Sequence, residues 1–265
     1  MDRLAENGGG RALKVIELHE SVTASNDRDA DALREEMKRK GTLLVNLMSS
    51  PGSGKTTLLS RTIRDLHKKG GSSSGCPEKE EASLRIAVLE ADIDSDVDAR
   101  QIDRLGAKAI QVHTDGMCHM DAGMTARGLF EMGCDDIDLA FLENVGNLIC
   151  PAEFDTGAGK NVMILSVPEG DDKPLKYPLM FRTSDALVIS KIDALPYFDF
   201  DMDACVRRAK ALHPSIRIFP LSAKTGEGMK AWEEWLRGAV QDWKRKDVPR
   251  ERAGMKSMSR ENEPG

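Results

Sequence analysis

The segment SSPGSGKTT, residues 49–57, constrains the fold more than any other part of the chain. An apolar run over 43–48 precedes it and predicts a strand, and a helical pattern begins near Thr57. Small residues in a strand-to-helix turn let successive backbone N–H groups point at a phosphate. The segment therefore predicts a phosphate-binding loop at the carboxyl end of a strand in an α/β fold.

The residues of this loop have separate roles. The Lys55 ammonium can reach the β- and γ-oxygens of a nucleotide, and the Thr56 hydroxyl can hold Mg²⁺. Ser49 stands where the pattern G-x-x-x-x-G-K-S/T has its first glycine, and Pro51 stiffens the bend. The candidate nucleotide contacts in the loop are Gly52, Ser53, Gly54, Lys55, Thr56 and Thr57.

From residue 42 onward, apolar runs typical of strands alternate with helical patterns. Strands are predicted over 43–48, 84–89, 109–112, 139–143, 162–167, 186–189 and 217–221, and helices over 57–69, 96–105, 122–132, 202–212 and 229–243. This alternation predicts a mostly parallel sheet with helices on both faces, the α/β architecture of P-loop NTPases. Ligands of such folds bind at the carboxyl ends of the strands.

Two short motifs at strand ends indicate which base is bound. Ser190-Lys191-Ile192-Asp193 resembles the N-K-x-D motif of GTPases, with serine in place of asparagine. The Asp193 carboxylate can accept from both N1–H and N2–H₂ of guanine, whereas adenine offers no such donors, and the stem of Lys191 can lie across the base.

The second motif, Ser222-Ala223-Lys224, resembles the S-A-K loop that supports the guanine through a backbone N–H. Asp193 taken alone is equally consistent with a helix cap or a turn residue. Two such motifs in order after a phosphate loop favour GTP over ATP. On this interpretation, residues 42–246 form a P-loop GTPase domain, residues 1–41 a tail and flanking helices broken around 25–27, and residues 247–265 a disordered tail. The stretch 70–83 predicts a flexible insertion.

Acidic residues end two further strands. Asp92 follows the run 84–89, and Glu143 ends the run 139–143, with Gly146 shortly after it. A carboxylate at this edge can hold Mg²⁺, and Gly146 can bring a backbone N–H to the γ-phosphate. We assign Thr56, Asp92 and Glu143 to the Mg²⁺ site, and Lys55, Asp92 and Glu143 to hydrolysis, although acidic strand ends can also be merely solvated. Because the sequence identifies no glutamine or arginine finger, slow intrinsic turnover is expected.

A different set of side chains suits a transition metal. Cys118 and His119 are adjacent in one loop, and Cys150 lies in another. Both loops are predicted to leave neighbouring strands at the carboxyl edge, so two thiolates and an imidazole can converge on Ni²⁺ or Zn²⁺. A fourth ligand can come from water or from a second chain. Each residue alone has an ordinary alternative, a buried cysteine or a solvated histidine. Cys134 and Cys205 are predicted to be core residues, and His113 a reserve ligand.

Composition and charge narrow the class of partners. The net charge of −6 argues against nonspecific binding to nucleic acid or to anionic membranes. No apolar run reaches the length of a membrane helix, and the first residues resemble neither a signal peptide nor a transit segment. The five scattered cysteines do not form a disulfide pattern. The expectation is a cytoplasmic protein with reduced thiols, and no nucleic-acid or membrane partner.

Seven segments in order resemble the hydrogenase maturation GTPases of the HypB family, which are nickel-incorporation accessory proteins. They are NLMSSPGSGKTTLL, EADIDSDVDA, QVHTDGMCHMDAGM, ENVGNLICPAEFDTG, SVPEGDDKPLKYP, SKIDALPYFDFD and SAKTGEGM. The similarity covers 26–235, and its most specific parts are Cys118-His119 and the segment ENVGNLICP. The resemblance implies a nucleotide-gated metallochaperone that works with hydrogenase maturation partners and delivers nickel to the hydrogenase large subunit. It also implies a GTP-dependent homodimer that binds Ni²⁺ or Zn²⁺ at an interface through Cys118, His119 and Cys150.

The chain departs from some family members at its N-terminus, since residues 1–25 contain no cysteine and only His19. A separate high-affinity nickel site is therefore not expected there. Three alternatives stay open at this point. The chain can be a nickel GTPase for another metalloenzyme such as urease, a P-loop kinase without the guanine preference, or a metal-buffering protein with a secondary nucleotide site.

Overall fold

The computed structural model describes residues 18–67, 83–92, 102, 105–114, 116–133 and 135–245. Within these residues, seven strands form one parallel sheet in the order β3-β2-β4-β1-β5-β6-β7. The strands are β1 (Leu43–Ser49), β2 (Ile86–Asp92), β3 (Lys108–His113), β4 (Leu139–Glu143), β5 (Lys160–Ser166), β6 (Ala186–Ser190) and β7 (Arg217–Pro220). The predicted α/β class with a parallel sheet is confirmed.

The described helices connect these strands and flank the sheet. They are α1 (Leu18–Lys40), α2 (Lys55–His67), α3 (Ala122–Met132), α4 (Cys150–Glu153), α5 (Lys173–Lys176), α6 (Pro178–Arg182), α7 (Met202–Leu212) and α8 (Met229–Arg245), with 3-10 turns at Val167–Glu169 and Ile192–Tyr197. The short helices α4 to α6 were not predicted, because four or five residues are too few to show a helical period.

The central strand β1 explains why helices cover both faces of the sheet. It is buried along its whole length, and its successive side chains point to opposite faces. Leu43, Val45 and Leu47 pack with α2 and α8 in one core cluster. On the other face, Leu44 packs with α1 and α3, and Met48 packs with α6 and α7. An apolar run buried on both sides is typical of a parallel sheet.

The predicted break in the N-terminal helical pattern is wrong. Helix α1 continues without interruption through residues 25–27. Asn26 does not end the helix, because its side chain has partners elsewhere in the protein. Its Nδ2 donates to the Asp155 carbonyl at 2.8 Å, and its Oδ1 accepts from the Ala122 N–H at 3.0 Å. The asparagine side chain therefore does not compete for the backbone of α1.

The remaining boundaries agree with the predictions to within a few residues. Strand β2 extends to Asp92, so Glu90 and Asp92 lie in the strand and not after it, and Glu90 is the register partner of Glu143. Nearly all of the predicted insertion at 70–83, most of the predicted helix at 96–105, residues 1–17 of the predicted N-terminal segment 1–41 and the predicted tail at 247–265 lie outside the described residues. Those expectations stay predictions.

A buried carboxylate fastens the amino edge of the sheet, opposite the candidate site. Asp138 immediately precedes β4, and its oxygens accept from the Arg85 backbone N–H at 2.9 Å, from the Arg85 guanidinium at 3.0 Å and from Lys244 Nζ at 2.5 Å. Burial alone would raise the pKa of Asp138, but the bonds from Arg85 and Lys244 outweigh it and hold this pKa well below its usual range. The contacts link β2, β4 and the end of α8.

We expect Asp138→Asn to lower the free energy of unfolding by about 2 kcal/mol at pH 7, since it removes charge-assisted hydrogen bonds. The folded-state pKa lies below the unfolded value of about 4, so the ionised carboxylate stabilises the wild type fully above pH 4. That stabilisation decreases as the pH falls below the unfolded pKa and is gone once the pH has fallen through the folded pKa, so it is already reduced at pH 3. Urea unfolding at pH 7 and pH 3 measures the gap between the two proteins. A gap that does not shrink at pH 3 would contradict the assignment.

Candidate functional site

The loop after β1 has the backbone conformation that a phosphate site requires. Gly52 and Gly54 have φ values of 73° and 97°, which residues with a Cβ rarely adopt. Helix α2 begins directly afterwards, at Lys55, so its amino-terminal N–H groups face the same space. The helix starts two residues earlier than predicted, within the loop motif itself.

Ser49, which replaces the usual first glycine, is used inside this loop. Its Oγ accepts from Lys55 Nζ at 2.9 Å and from Ser53 Oγ at 2.6 Å, and it donates to the Ser50 carbonyl at 2.8 Å. Both Ser49 and Ser53 are buried. The Ser49 hydroxyl thus holds the Lys55 ammonium at the loop. A phosphate oxygen could replace this hydroxyl as the acceptor.

Thr56 and Glu143 meet at this edge of the sheet. The Thr56 hydroxyl donates to Glu143 Oε1 at 2.9 Å, because β4 is the direct neighbour of β1. A hydroxyl and a carboxylate are hard oxygen donors next to the phosphate loop, and they fit Mg²⁺. Two of the three residues predicted for the Mg²⁺ site, Thr56 and Glu143, therefore lie together.

Gly146 and Asp92 are the other residues predicted to act at this edge of the sheet. A Cβ on Gly146 would lie 3.0 to 3.2 Å from atoms of Pro51, so the Gly146 backbone presses directly on the phosphate loop. Asp92 pairs through its backbone with His113, and its side chain lies outside what the structure describes. The role predicted for Asp92 therefore stays a prediction. Glu90, to which no role was assigned, is 3% exposed beside Glu143.

The candidate base pocket lies beside the same loop and has a volume of about 230 Å³. It brings together residues from the phosphate loop and from both predicted base-reading motifs: Ser53, Gly54, Thr57, Leu58, Ser190, Lys191, Asp193, Ala194, Ser222, Ala223 and Lys224. All the residues predicted to contact the base line this one pocket. The three motifs, far apart in sequence, are thus parts of one site.

Lys191 and Ser190 attach the first base-reading motif to the phosphate loop. Lys191 has a left-handed backbone, with φ 60°, and its Nζ donates to the Gly52 carbonyl at 2.7 Å. The Ser190 hydroxyl donates to the Ser53 carbonyl at 2.8 Å and is buried. Serine in the asparagine position therefore keeps a hydrogen bond to the phosphate loop.

The second base-reading motif is fixed from two sides. Ser222 is fully buried, and its Oγ accepts from the Thr225 N–H at 3.1 Å. Arg61 of α2 donates to the Ala223 carbonyl at 3.3 Å. Arg61 was not predicted to matter, and only its three-dimensional position next to Ala223 identifies it.

Cys118, His119 and Cys150 converge, as predicted. Their ligand atoms all lie within 4.8 Å of one another. The two sulfur atoms are 2.7 Å apart, and Cys118 Sγ lies 3.7 Å from His119 Nδ1. The premise that their loops leave neighbouring strands is wrong, because β2 lies between β3 and β4 in the sheet. The loops after the strands, and not strand adjacency, bring the three residues together.

His119 is held in a fixed orientation. Its ring stacks on Phe154 with centroids 3.9 Å apart and an interplanar angle of 19°. The residue is 7% exposed, and Nε2 has no hydrogen-bond partner among the described residues. Burial lowers the pKa of His119, and the charges of Asp121 and Glu153 only partly oppose it. The imidazole is therefore neutral at pH 7, which is the form that binds metals.

Cys150 needs a metal ion to become a thiolate at neutral pH. Its hydrogen bond with Cys118 and its burial raise its pKa, and the hydrogen bond from Asn147 Nδ2, at 3.4 Å, opposes that shift. A metal ion must therefore displace protons when it binds. Two sulfurs and one imidazole nitrogen match the preferences of Ni²⁺ and Zn²⁺.

Helix α1 fastens the two loops that carry these ligands. Asn26 bridges Ala122, shortly after His119, and Asp155, shortly after Cys150. Arg34 adds an ion pair to Asp155, in which Nη2 lies 2.8 and 2.6 Å from the two carboxylate oxygens. These positioning residues were missed, because nothing in the local sequence connects α1 to loops a hundred residues away.

The other predicted cysteine and histidine roles have mixed outcomes. Cys205 is buried in the core as predicted, and burial raises its pKa to about 12. His113 is exposed at the end of β3 and is not part of the ligand group found among the described residues. Cys134 lies outside the described residues. None of the described helices combines the length and the apolar character that crossing a membrane requires.

Comparison with known proteins places this site in a family. The sequence model of the family CobW/HypB/UreG, nucleotide-binding domain, matches residues 43–220. The hydrogenase maturation factor HypB of Azotobacter chroococcum is 42% identical over 223 residues, which are 84% of this chain and 68% of the relative.

Two solved structures are similar over most of the fold. HypB from Archaeoglobus fulgidus has a TM-score of 0.72 and 36% identity, with 82% of this chain and 99% of that chain covered. HypB from Helicobacter pylori, solved in complex with nickel, has a TM-score of 0.73 and 32% identity, with 85% and 99% covered. The chain therefore belongs to the HypB hydrogenase maturation factors, within the CobW/HypB/UreG family of P-loop nucleotide-binding proteins.

Proposed function

We propose that this protein is a GTP-hydrolysing switch that binds a nickel or zinc ion at Cys118, His119 and Cys150 and delivers nickel during hydrogenase maturation. The observation that carries the proposal is the course of one segment, 143–150. It begins at Glu143, which contacts Thr56 in the phosphate loop, and it ends at Cys150, which contacts Cys118. A change at the phosphate end can therefore move a metal ligand.

The phosphate end is suited to hydrolysis by positioning and charge neutralisation. Lys55 faces the γ-phosphate oxygens in this proposal, and Thr56 and Glu143 hold Mg²⁺, which when bound supplies further positive charge to the phosphates. Asp92 is proposed to orient the attacking water or the metal's water shell. Gly146, which touches Pro51, is placed to detect loss of the γ-phosphate. With no arginine finger identified in the sequence, we expect slow turnover.

Guanine selectivity is proposed to come from Asp193, with Lys191 across the base and Ser222, Ala223 and Lys224 behind it. The support is that all five line the same pocket as the phosphate loop. An aspartate in this place accepts from two guanine donors and has no equivalent partners on adenine.

Among the described residues the cargo site offers three protein ligands, and we propose that a fourth comes from water or from a second chain. We propose a GTP-dependent homodimer, in which the exposed thiol of Cys118 lies at the interface. A nickel complex of a relative with the same family fold supports nickel as the cargo. An open site of this kind can release its ion to a hydrogenase large subunit, unlike a closed four-ligand site.

The proposal is tested by two measurements on the full chain. Nickel titration by calorimetry in the presence of GDP, and then of a nonhydrolysable GTP analogue, should give affinities that differ by about 5-fold or more. Phosphate release from GTP should be slow, but it should still be faster than phosphate release from ATP. Identical nickel affinities would remove the switch, and preferential ATP hydrolysis would remove the guanine assignment. More than one nickel ion per chain would favour a metal-buffering protein.

A further inference from the structure

We propose that Asn144 is the positioning residue through which the nucleotide state reaches the metal ligands. This inference rests on the proposed function and names the group that would link its two sites. Asn144 lies between Glu143 and Val145 and is 1% exposed. It is neither a candidate metal ligand nor a residue of the base pocket.

On the metal side, the Asn144 side chain holds the loop of His119. Its Oδ1 accepts from the Met120 backbone N–H at 3.1 Å and from the Val145 N–H at 2.9 Å. Met120 is fully buried and directly follows His119 in the chain. A single oxygen atom thus connects the segment after β4 with the loop after β3, across the intervening strand β2.

On the nucleotide side, Asn144 is bonded covalently to Glu143, whose Oε1 accepts from Thr56. The Asn144 backbone N–H still donates to the Leu47 carbonyl at 3.0 Å, so the residue is the last one fixed to β1. Gly146, which presses on Pro51, comes two residues later. Movement of the loop at Gly146 therefore begins immediately beside the Asn144 oxygen.

The nitrogen of the Asn144 amide faces a ladder of asparagines. Its Nδ2 donates to Asn46 Oδ1 at 3.1 Å, and Asn46 Nδ2 donates to Asn161 Oδ1 at 3.1 Å. Asn161 in turn donates to the Thr183 carbonyl at 3.3 Å. If the Asn144 amide turned over, two buried N–H groups, of Met120 and Val145, would lose their acceptor. Because buried donors without partners are costly, the oxygen stays toward the metal loop.

These contacts give the proposal its direction. When the 145–146 loop shifts, Oδ1 either follows Val145 and moves away from the Met120 N–H, or keeps Met120 and draws the His119 loop with it. In both cases the position of His119 depends on the conformation of the 145–146 loop, which contacts the phosphate loop at Pro51. An aliphatic side chain at 144 would leave the two loops packed together without this directional link.

The test compares the nickel affinity of the full chain with GDP and with a nonhydrolysable GTP analogue, in the wild type, Asn144→Ala and Asn46→Ala. We expect the wild-type ratio of the two affinities to exceed about 5-fold, and the Asn144→Ala ratio to fall to within about twofold of one. Asn46 is as buried as Asn144 and loses ladder bonds when truncated, but its described side-chain hydrogen bonds go to Asn144 and Asn161 and not to the loop of His119. Asn46→Ala should therefore keep the wild-type ratio.

A purely structural role gives a different pattern. It would lower the urea midpoint of both variants alike and weaken nickel binding equally in both nucleotide states. Asn144→Asp keeps an acceptor oxygen for Met120 and Val145, and we expect it to restore a nucleotide-dependent ratio. An unchanged ratio in Asn144→Ala, with a wild-type ratio above one, overturns this inference alone. A wild-type ratio of one overturns both it and the proposed switch.

Discussion

Asp193→Asn should lower the affinity for GTP at least about 100-fold and allow binding of xanthosine triphosphate. In the proposed site the wild-type carboxylate accepts from both guanine donors, whereas the asparagine amide presents one acceptor and one donor. The amide therefore opposes guanine N2–H₂ but matches xanthine, which has a carbonyl oxygen at that position. A buried polar group left without its partner gives discriminations of this size or larger. Competition against a fluorescent guanine nucleotide measures both affinities.

A matched control lies a few residues along the same segment. Asp199 is exposed and does not line the base pocket, so Asp199→Asn makes the same chemical change outside it. This variant should bind GTP as the wild type does. Two outcomes would contradict the assignment of Asp193 as the base reader. One is equal GTP binding by wild type and Asp193→Asn, and the other is a comparable loss in both variants.

The fold could be predicted from the sequence because its signals are local. Apart from Asn46 and Glu143, the runs at 43–48, 139–143 and 186–189 are apolar, and strands buried on both faces require mostly apolar side chains. The predicted break near Asn26 was wrong because the contacts that decide it are not local in the sequence. An asparagine in a helical pattern can interact with its own backbone or with distant partners, and only the distant Asp155 and Ala122 decide between these.

Some parts of the candidate site could be predicted from the sequence more completely than others. The residues of the phosphate loop are consecutive, and the base-reading motifs are short, so chain order alone predicts their meeting in one pocket. The link between Thr56 and Glu143 followed from both lying at the carboxyl edge of the sheet. The trio of Cys118, His119 and Cys150 has no fixed spacing, and its convergence depends on loops that no periodicity describes.

The residues that support the candidate metal site could not be identified from any sequence pattern. Asn144 stands in the quoted segment ENVGNLICP, but its hydrogen bonds with Met120 and Asn46 link elements that are apart in sequence. Phe154 resembles any aromatic residue until its ring is found against His119. Side chains that orient ligands are selected by three-dimensional position, and a single sequence does not contain that information.

Cys118→Ala should weaken nickel binding at least about 100-fold while GTP affinity stays within about twofold of the wild type. Removing one of three protein ligands exceeds the 10- to 100-fold cost typical of losing a supporting partner of a metal ligand. The base pocket and the phosphate loop do not include Cys118, so the nucleotide site should be intact. Equilibrium dialysis with metal analysis, at equal pH, measures the nickel affinity of both proteins. Competition against a fluorescent guanine nucleotide measures their GTP affinity.

The control for the thiol is Cys205→Ala, which removes a cysteine of the core that is fully buried. Burial raises the pKa of Cys205 to about 12, so its thiol stays protonated and does not compete for nickel. Nickel affinity should therefore be unchanged in Cys205→Ala and strongly lowered in Cys118→Ala, although both variants lack one sulfur. Retention of tight nickel binding by Cys118→Ala would place the ion elsewhere. The contact between Cys118 and Cys150 would then only pack the two loops together. The segment 143–150 would not connect the phosphate loop to a metal ligand.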